Sequence, residues 1–195
     1  MRREDGGVLT KLVAWLVLLA VAASVGLFAY VRLQRPLTAE TATATTVGAG
    51  PADAVRLTPE GRIVVATTVV NDGRWPVTLT GLAEDRARGG DPYVATELGL
   101  GDGDTATLDA LVPFAPLRLE PGQGVGVVVV FTPNPGQRCR QYPEDPTSES
   151  VIREIDSFGV AFELAGIRGD QVVVTDEPFA TVGPVTRAAC EAVAA

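Results

Sequence analysis

The chain has 195 residues, of which 46% are hydrophobic and only 6% aromatic, with 21 Gly, 14 Pro, two Cys and no His. This length allows one domain of ordinary size with a short appendage. Without histidine, Ser-His-Asp triads, histidine metal sites and imidazole acid–base catalysis are excluded. Because Lys11 is the one lysine, lysine chemistry is excluded from the rest of the chain. Carboxylate chemistry, binding and scaffolding remain, and the sequence predicts no cofactor and no metal site.

An uncharged apolar segment, LVAWLVLLAVAASVGLFAYV, occupies residues 12–31. At about 1.5 Å per residue a helix of this length spans roughly 30 Å, the hydrocarbon thickness of a bilayer. Trp15 and Tyr30 lie near its two ends, where aromatic rings favour the membrane interface. We therefore predict a single-pass transmembrane helix that anchors the protein in the cytoplasmic membrane.

The basic residues around this segment predict its orientation. Three precede it and two follow it, namely Arg2, Arg3 and Lys11, then Arg32 and Arg35. This excess favours an N-terminus inside, so that residues 1–11 form a cytoplasmic tail. The alternative is a cleaved signal peptide, with cleavage after Ala22 in the A-x-A-like sequence Ala20-Val21-Ala22. Because the apolar segment continues for nine residues beyond that site, the sequence favours an uncleaved signal anchor.

The two cysteines, Cys139 and Cys190, both lie in the C-terminal portion. An even pair is typical of an oxidising compartment, so we predict a disulfide bond and a C-terminal domain outside the cytoplasm. Two unpaired thiols in a cytosolic domain are the alternative. A zinc site is excluded because two thiolates, without His and without CxxC spacing, cannot supply four ligands.

Charge divides unevenly along the chain. Residues 1–35 hold five basic and two acidic side chains, a net charge of +3, whereas the remainder holds 11 Arg against 22 Asp and Glu, a net charge of −11. A domain this acidic is repelled by phosphate backbones and by anionic lipids. Nucleic acid is therefore excluded as a partner.

Residues 32–54 lack aromatic side chains and are rich in Thr, Ala and Gly. Such a composition buries too little apolar surface to fold, so it predicts a flexible linker. The domain that follows is predicted over residues 55–195.

The pattern of this domain is that of β-structure. Short β-branched or apolar segments separated by turn residues predict about seven strands. Nine segments are candidates for these strands, at 62–70, 76–81, 93–98, 105–108, 117–119, 126–131, 158–164, 171–175 and 179–182. Turn residues predict two hairpins, one joining 62–70 to 76–81 and one joining 158–164 to 171–175 through a turn at 166–170. With one helix at 187–195 and no internal repeat, the prediction is an all-β sandwich.

Two motifs carry a family resemblance. The first is N-x-G-x-x-P-V-x-L-x-G, formed by Asn71, Gly73, Pro76, Val77, Leu79 and Gly81. The second is L-x-P-G-x-x-x-x-V-x-V-x-F, formed by Leu119, Pro121, Gly122, Val127, Val129 and Phe131. Together they resemble the Ig-like β-sandwich modules of bacterial envelope proteins, and the composition, rich in Arg, Ala, Val and Gly, resembles membrane-anchored proteins of high-GC Gram-positive bacteria. The resemblance implies an extracytoplasmic, non-catalytic module that binds or spaces other molecules, although the inter-sheet disulfide of Ig domains is absent.

The candidate binding segment is residues 132–150, TPNPGQRCRQYPEDPTSES. It is long, rich in Pro, contains Cys139 and groups Arg138, Arg140 and Tyr142 on an otherwise acidic domain. Long loops on rigid sandwiches often bind partners, and Arg and Tyr are favoured at interfaces. The alternative is an ordinary exposed loop that a disulfide stabilises.

Three other motifs have simpler interpretations. Asp102 and Asp104 resemble part of a calcium loop, but position 12 counted from Asp102 is Pro113 rather than Glu. A looser Ca²⁺ site stays open beside the interpretation as a solvated turn. Arg168-Gly169-Asp170 spells an integrin tripeptide, and we predict that these residues form a tight turn.

Three adjacent carboxylate pairs, Glu84-Asp85, Glu144-Asp145 and Asp176-Glu177, raise the alternative of glycoside hydrolysis. Adjacent residues of a strand point in opposite directions, and the aromatic platform that carbohydrate sites use is thin here. We therefore predict a non-enzymatic, membrane-anchored accessory protein that binds an envelope protein partner. The alternatives are an exported carboxylate-dependent hydrolase and a passive structural spacer.

Overall fold

The computed structural model describes residues 5–40, 43–47, 57–83, 92–135, 139–144, 153–175, 178–183 and 185–194. The chain divides into two compact units, Met1–Gln34 and Arg35–Ala195.

The first unit is one helix, α1 (Asp5–Leu33). Within it, the segment Thr10–Val31 has a mean hydropathy of 2.5, and none of the most apolar 18 residues of this segment is buried. The hydroxyl of Ser24 donates to the carbonyl of Ala20 at 2.8 Å, so this polar group is satisfied inside the helix. By length and composition the segment can cross a membrane, and it includes the predicted residues 12–31.

The second unit is built from antiparallel strands and one short helix. The strands are β1 (Leu37–Ala39), β2 (Thr43–Val47), β3 (Arg62–Asn71), β4 (Val77–Leu82), β5 (Tyr93–Leu100), β6 (Val112–Pro113), β7 (Leu117–Leu119), β8 (Gly124–Pro133), β9 (Arg153–Ile155), β10 (Ser157–Leu164), β11 (Ile167–Val174) and β12 (Ala180–Val182). Helix α2 (Arg187–Ala194) follows the last strand and confirms the predicted C-terminal helix.

The strands form two principal sheets whose order identifies the architecture. The first sheet has the order β1-β3-β8-β5-β6, with β2 also paired to β3, and the second has the order β11-β10-β4-β7. The pair β12-β9 stands apart. Taken in chain order, this arrangement matches the ABED and GFC sheets of a constant-type Ig domain, with β7 added beside the C strand. The predicted β-sandwich preceded by one apolar helix is confirmed.

The core lies between the two sheets. In the second sheet, β10 and β11 alternate strictly between buried and more exposed residues, as expected when one face packs on the core. In the first sheet, residues 63–67 of β3 and residues 127–131 of β8 are buried without alternation. A second apolar cluster explains this, because Ala106 and Leu111 of the loop after β5 cover Val64, Ala66 and Val128.

The prediction of a hairpin between 62–70 and 76–81 is wrong. β3 pairs with β8, β1 and β2, whereas β4 pairs with β10 and β7 in the opposite sheet. The chain between them therefore crosses from one sheet to the other, and Asn71 holds this crossing by donating from its side chain to the carbonyl of Trp75 at 2.9 Å. The turn residues after Asn71 follow the end of β3, but their sequence does not encode which sheet the next strand joins.

The second predicted hairpin is confirmed, with a different turn. β10 pairs with β11 from Leu164↔Ile167 to Ser157↔Val174, which leaves a two-residue turn at Ala165 and Gly166. Both turn residues have positive φ, 52° and 79°, as a type I′ hairpin turn requires. Arg168, Gly169 and Asp170 therefore lie in β11, and the prediction that they form a tight turn is wrong.

Two further predictions differ from the structure. Residues 37–39 and 43–47, placed in a flexible linker, form β1 and β2 and pair with β3, because β-branched Thr and Val residues complete the free edge of that strand. The expected strand at 105–108 is a loop that leads into a 3-10 helix at Leu108–Ala110. Residues 41–42 and 48–54 of the predicted linker lie outside the described residues.

Candidate interaction surface

A disulfide joins the long loop after β8 to the C-terminal helix. Cys139, in a 3-10 helix (Cys139–Gln141), bonds to Cys190 of α2, with an S–S distance of 2.06 Å and a Cα–Cα distance of 5.4 Å. The amide of Arg187 donates to the carbonyl of Pro143 at 2.8 Å. The Arg187 guanidinium also forms an ion pair with Glu144. These three contacts fasten α2 against the loop.

Of the three residues predicted to bind a partner, Arg138, Arg140 and Tyr142, the structure describes the last two. Tyr142 is only 1% exposed, so its ring is a core side chain beneath the loop and is unavailable to a partner. Arg140 is exposed, and Arg138 lies outside the described residues. The prediction that Tyr142 contacts a partner therefore differs from the structure, in which the side chain is buried.

Within the described residues, the three adjacent carboxylate pairs of the sequence are not seen to come together at one site. Glu144 is engaged by Arg187. Its neighbour Asp145 and the pairs at 84–85 and 176–177 lie outside the described residues. Within the described ranges, no group of three or more His, Cys, Asp or Glu side chains is placed to hold a metal ion.

The carboxylate of Asp102 accepts hydrogen bonds from the next residues of its own loop. Its Oδ2 accepts from the Thr105 hydroxyl at 2.7 Å, and its Oδ1 accepts from the amides of Thr105 at 2.8 Å and Asp104 at 3.0 Å. Donation from the Thr105 hydroxyl, followed by the two amides, holds the pKa of the Asp102 carboxyl below its usual value. This geometry is that of a hydrogen-bonded polar turn.

The outer face of the hairpin β10–β11 is formed by the residues whose side chains point away from the core. Directly opposite residues of an antiparallel pair share a face, and the outward pairs here are Ser157–Val174, Gly159–Val172, Ala161–Asp170 and Glu163–Arg168. Three of the four β10 members are small, whereas all four β11 members are larger.

A cavity of about 340 Å³ lies on this hairpin. It is lined by Thr80, Leu82, Ala161, Phe162, Arg168, Gly169 and Asp170. Beside it, β4 and β10 change register between Ala161 and Phe162, and Gly81 has a φ of 147°. A bulge of this kind bends the strand and re-aims its side chains.

The edge of β11 that faces away from β10 adjoins the same cavity. Among the described strands, β11 pairs with β10 alone, and β1 meets this edge where the side chain of Gln171 bonds to the backbone of Leu37. Because Leu164 and Ile167 flank a two-residue turn as a hydrogen-bonded pair, the backbone groups of alternate residues from Arg168 to Val174 point away from β10. On that strand Val172 is 51% and Val174 57% exposed. We name the outward pairs of β10–β11, together with this edge, the hairpin face.

The hairpin face could have been recognised from the alternation in IRGDQVVV, in which Arg168, Asp170, Val172 and Val174 alternate with buried residues. The turn assignment at 166–170 concealed this pattern. Comparison with protein-family models and with curated proteins gives no match. The similarity to Ig domains therefore rests on strand order.

Proposed function

We propose that this protein is a non-enzymatic, membrane-anchored component of the cell envelope that presents its Ig-like sandwich outside the cytoplasm and binds a protein partner. The observation that carries the proposal is the hairpin face, where an edge strand with exposed valines adjoins a cavity. Exposed apolar side chains along a free strand edge are typical of sites that pair with another chain.

The location is supported by two independent features of the chain. The apolar segment Thr10–Val31 suits a membrane anchor. The bond between Cys139 and Cys190 suits an oxidising compartment.

The chemistry of the hairpin face favours an extended protein segment as the partner. Such a segment would pair its backbone with the edge of β11 that faces away from β10 and place apolar side chains against Val172 and Val174. Arg168 and Asp170, both exposed, favour an acidic and a basic side chain at the corresponding positions of the partner strand. Backbone pairing supplies affinity, and these side chains supply register.

Site-specific photocrosslinking in intact cells tests this binding role. A photoreactive residue replaces Val174 in the full chain, and the same residue at Val112 of β6, which is 56% exposed, is the matched control. We expect one protein adduct at position 174 and none at position 112. In the Val174 probe, Val172→Lys should abolish the adduct because a charged edge opposes strand addition, whereas Val112→Lys should leave it.

Adducts of equal yield at positions 174 and 112 would contradict the binding role and favour a passive spacer. Crosslinked glycan in place of protein would favour the exported hydrolase. The location is tested separately with a membrane-impermeant maleimide on intact cells. Cys139 and Cys190 should react only after reduction, and reaction without reduction, or no reaction after it, would contradict the proposed location.

A further inference from the structure

An exposed tryptophan stands at the end of the sandwich where β3 crosses to β4. Trp75 is 59% exposed. By contrast, six other aromatic side chains of the sandwich are at most 7% exposed, namely Tyr93, Phe131, Tyr142, Phe158, Phe162 and Phe179. Covering an indole that lies in water gains burial free energy, so Trp75 is a candidate contact for a partner.

The backbone around Trp75 is held rigidly. Asn71, which is buried, donates to the Trp75 carbonyl at 2.9 Å and accepts from the Gly73 amide at 3.0 Å. The next residue, Asp72, donates its amide to the carbonyl of Pro36 at 2.8 Å. A Cβ added to Gly73 would lie 2.8 Å from the Pro36 Cβ, so the crossing segment and Pro36 are in close contact.

Pro36 also fixes how far along the chain Trp75 lies from the apolar segment. Helix α1 ends at Leu33, three residues before Pro36. Three residues of extended chain span at most about 11 Å. The headgroup layer on each side of a bilayer is roughly 5–8 Å thick. By chain length alone, the segment that holds Trp75 is within reach of the surface of any bilayer that α1 spans.

The charged groups near Trp75 suit a lipid surface. Arg74, next to it, and Arg35, next to Pro36, are both exposed, and guanidinium groups bind phosphate well. Two acidic groups of the same end, Asp72 and Glu120, have partners within the sandwich. Asp72 accepts from the Thr38 hydroxyl at 2.8 Å, and Glu120 pairs with Arg118 at 2.9 Å.

We propose that Trp75, with Arg74 beside it, contacts the lipid headgroup layer of the membrane that holds α1. Indole favours this layer because its ring is apolar while its N–H needs a polar acceptor. The contact would make the crossing segment a second, non-covalent attachment of the sandwich to the bilayer. This inference rests on the membrane anchoring proposed above.

Tryptophan fluorescence of the full chain tests the contact. The chain has two Trp, Trp15 and Trp75, so Trp15→Phe leaves Trp75 as the single fluorophore. The variant is reconstituted in vesicles of phosphatidylcholine, whose headgroup carries a phosphate but no net charge. We expect emission at shorter wavelength than in detergent, strong quenching by headgroup-labelled lipid, and weak quenching by aqueous iodide.

A matched control moves the indole to the other end of the sandwich. Trp15→Phe, Trp75→Phe and Val174→Trp are combined, since Val174 is 57% exposed and lies about 23 Å along β11 from the Ala165-Gly166 turn. This control should be quenched by iodide and not by labelled lipid.

The possible results separate the two proposals. If the chain floats with vesicles and iodide quenches Trp75 as strongly as the control, the lipid contact is overturned while anchoring stands, and Trp75 is left for a protein partner. If the chain does not float with vesicles, anchoring fails and the lipid contact fails with it.

Discussion

Asn71 joins three parts of the sandwich through one side chain. Its Nδ2 donates to the carbonyls of Trp75 at 2.9 Å and Leu119 at 3.0 Å, while its Oδ1 accepts from the Gly73 amide at 3.0 Å. Its own backbone amide and carbonyl bond to Gln123 and Gly122. The residue is fully buried, so each of these groups depends on the others for its hydrogen bond.

We predict that Asn71→Ala destabilises the protein strongly. The substitution leaves two carbonyls and one amide without partners, and each unsatisfied buried group costs roughly 1–3 kcal/mol. A loss of about 3 kcal/mol in the free energy of unfolding is expected on this basis, measured by urea denaturation in detergent. Asn71→Asp should also destabilise, because it loses both donors, whereas the exposed neighbour substitution Arg74→Ala should have little effect. Wild-type stability in Asn71→Asp would contradict this account.

Tyr93 makes stability depend on alkaline pH. Burial raises the pKa of its phenol from 10.0 to about 12, despite an opposing hydrogen bond with the backbone of Thr58. In that interval the folded chain keeps a proton that the unfolded chain has lost, so stability is complete below pH 10 and falls as the pH rises toward 12. Unfolding titrations across this range should show the decline. Tyr93→Phe should reduce its slope, and an unchanged slope would assign the effect to other groups.

At the scale of strands and turns, the sequence predicted elements better than their partners. Continuous β-branched residues correctly placed β3 and β8, and the Ala165-Gly166 turn lies within the predicted second hairpin. Which sheet β4 joins was not predictable, because it depends on a buried Asn71 that bonds to Leu119, far away in sequence. The candidate loop was predicted as a disulfide-bonded segment, but the burial of Tyr142 depends on packing that local sequence does not specify.

The hairpin β10–β11 needs glycine at position 169. A Cβ there would lie 2.7 Å from the Cζ of Phe162, the residue directly opposite on β10. Because the Phe162 ring is buried, it cannot move aside freely. Gly169→Ala should therefore cost about 1–3 kcal/mol, as overpacking does. Thermal denaturation measures the loss, with the exposed neighbour substitution Asp170→Ala as the control. Equal melting temperatures for the two variants would contradict the contact.

The side chain of Gln171 connects β11 of the second sheet to β1 of the first sheet. Its Oε1 accepts from the Leu37 amide at 3.1 Å, and its Nε2 donates to the Leu37 carbonyl. The side-chain amide of Gln171 thus pairs with both backbone groups of Leu37, as a neighbouring strand would. Gln171→Leu should destabilise by about 2 kcal/mol by leaving both groups unpaired, and should speed hydrogen exchange at Leu37. Slow exchange at Leu37 in this variant would show that other contacts protect β1.

At the scale of the whole molecule, the disulfide is a long-range constraint. It joins residues 51 positions apart, and closing a loop of this size stabilises by about 4 kcal/mol in the chain-entropy model. We expect Cys139→Ser combined with Cys190→Ser to lower the free energy of unfolding by about that amount, measured by urea denaturation without reductant. Reduced wild-type protein should match the double variant. A difference between them would mean that the serines, rather than the open loop, cause the loss.

The same bond has a mechanical consequence. Cys139 and Cys190 close a covalent ring that contains β10 and β11, the strands of the hairpin face. Tension applied between the two ends of the chain passes through the sulfur atoms and bypasses this ring. If the rest of the sandwich is stretched out, the 50 residues enclosed by the bond cannot extend. At about 3.6 Å per residue, the stretched chain is then roughly 180 Å shorter than it would be without the bond. A molecule that is pulled from its anchor would then keep its hairpin covalently looped until the bond is reduced.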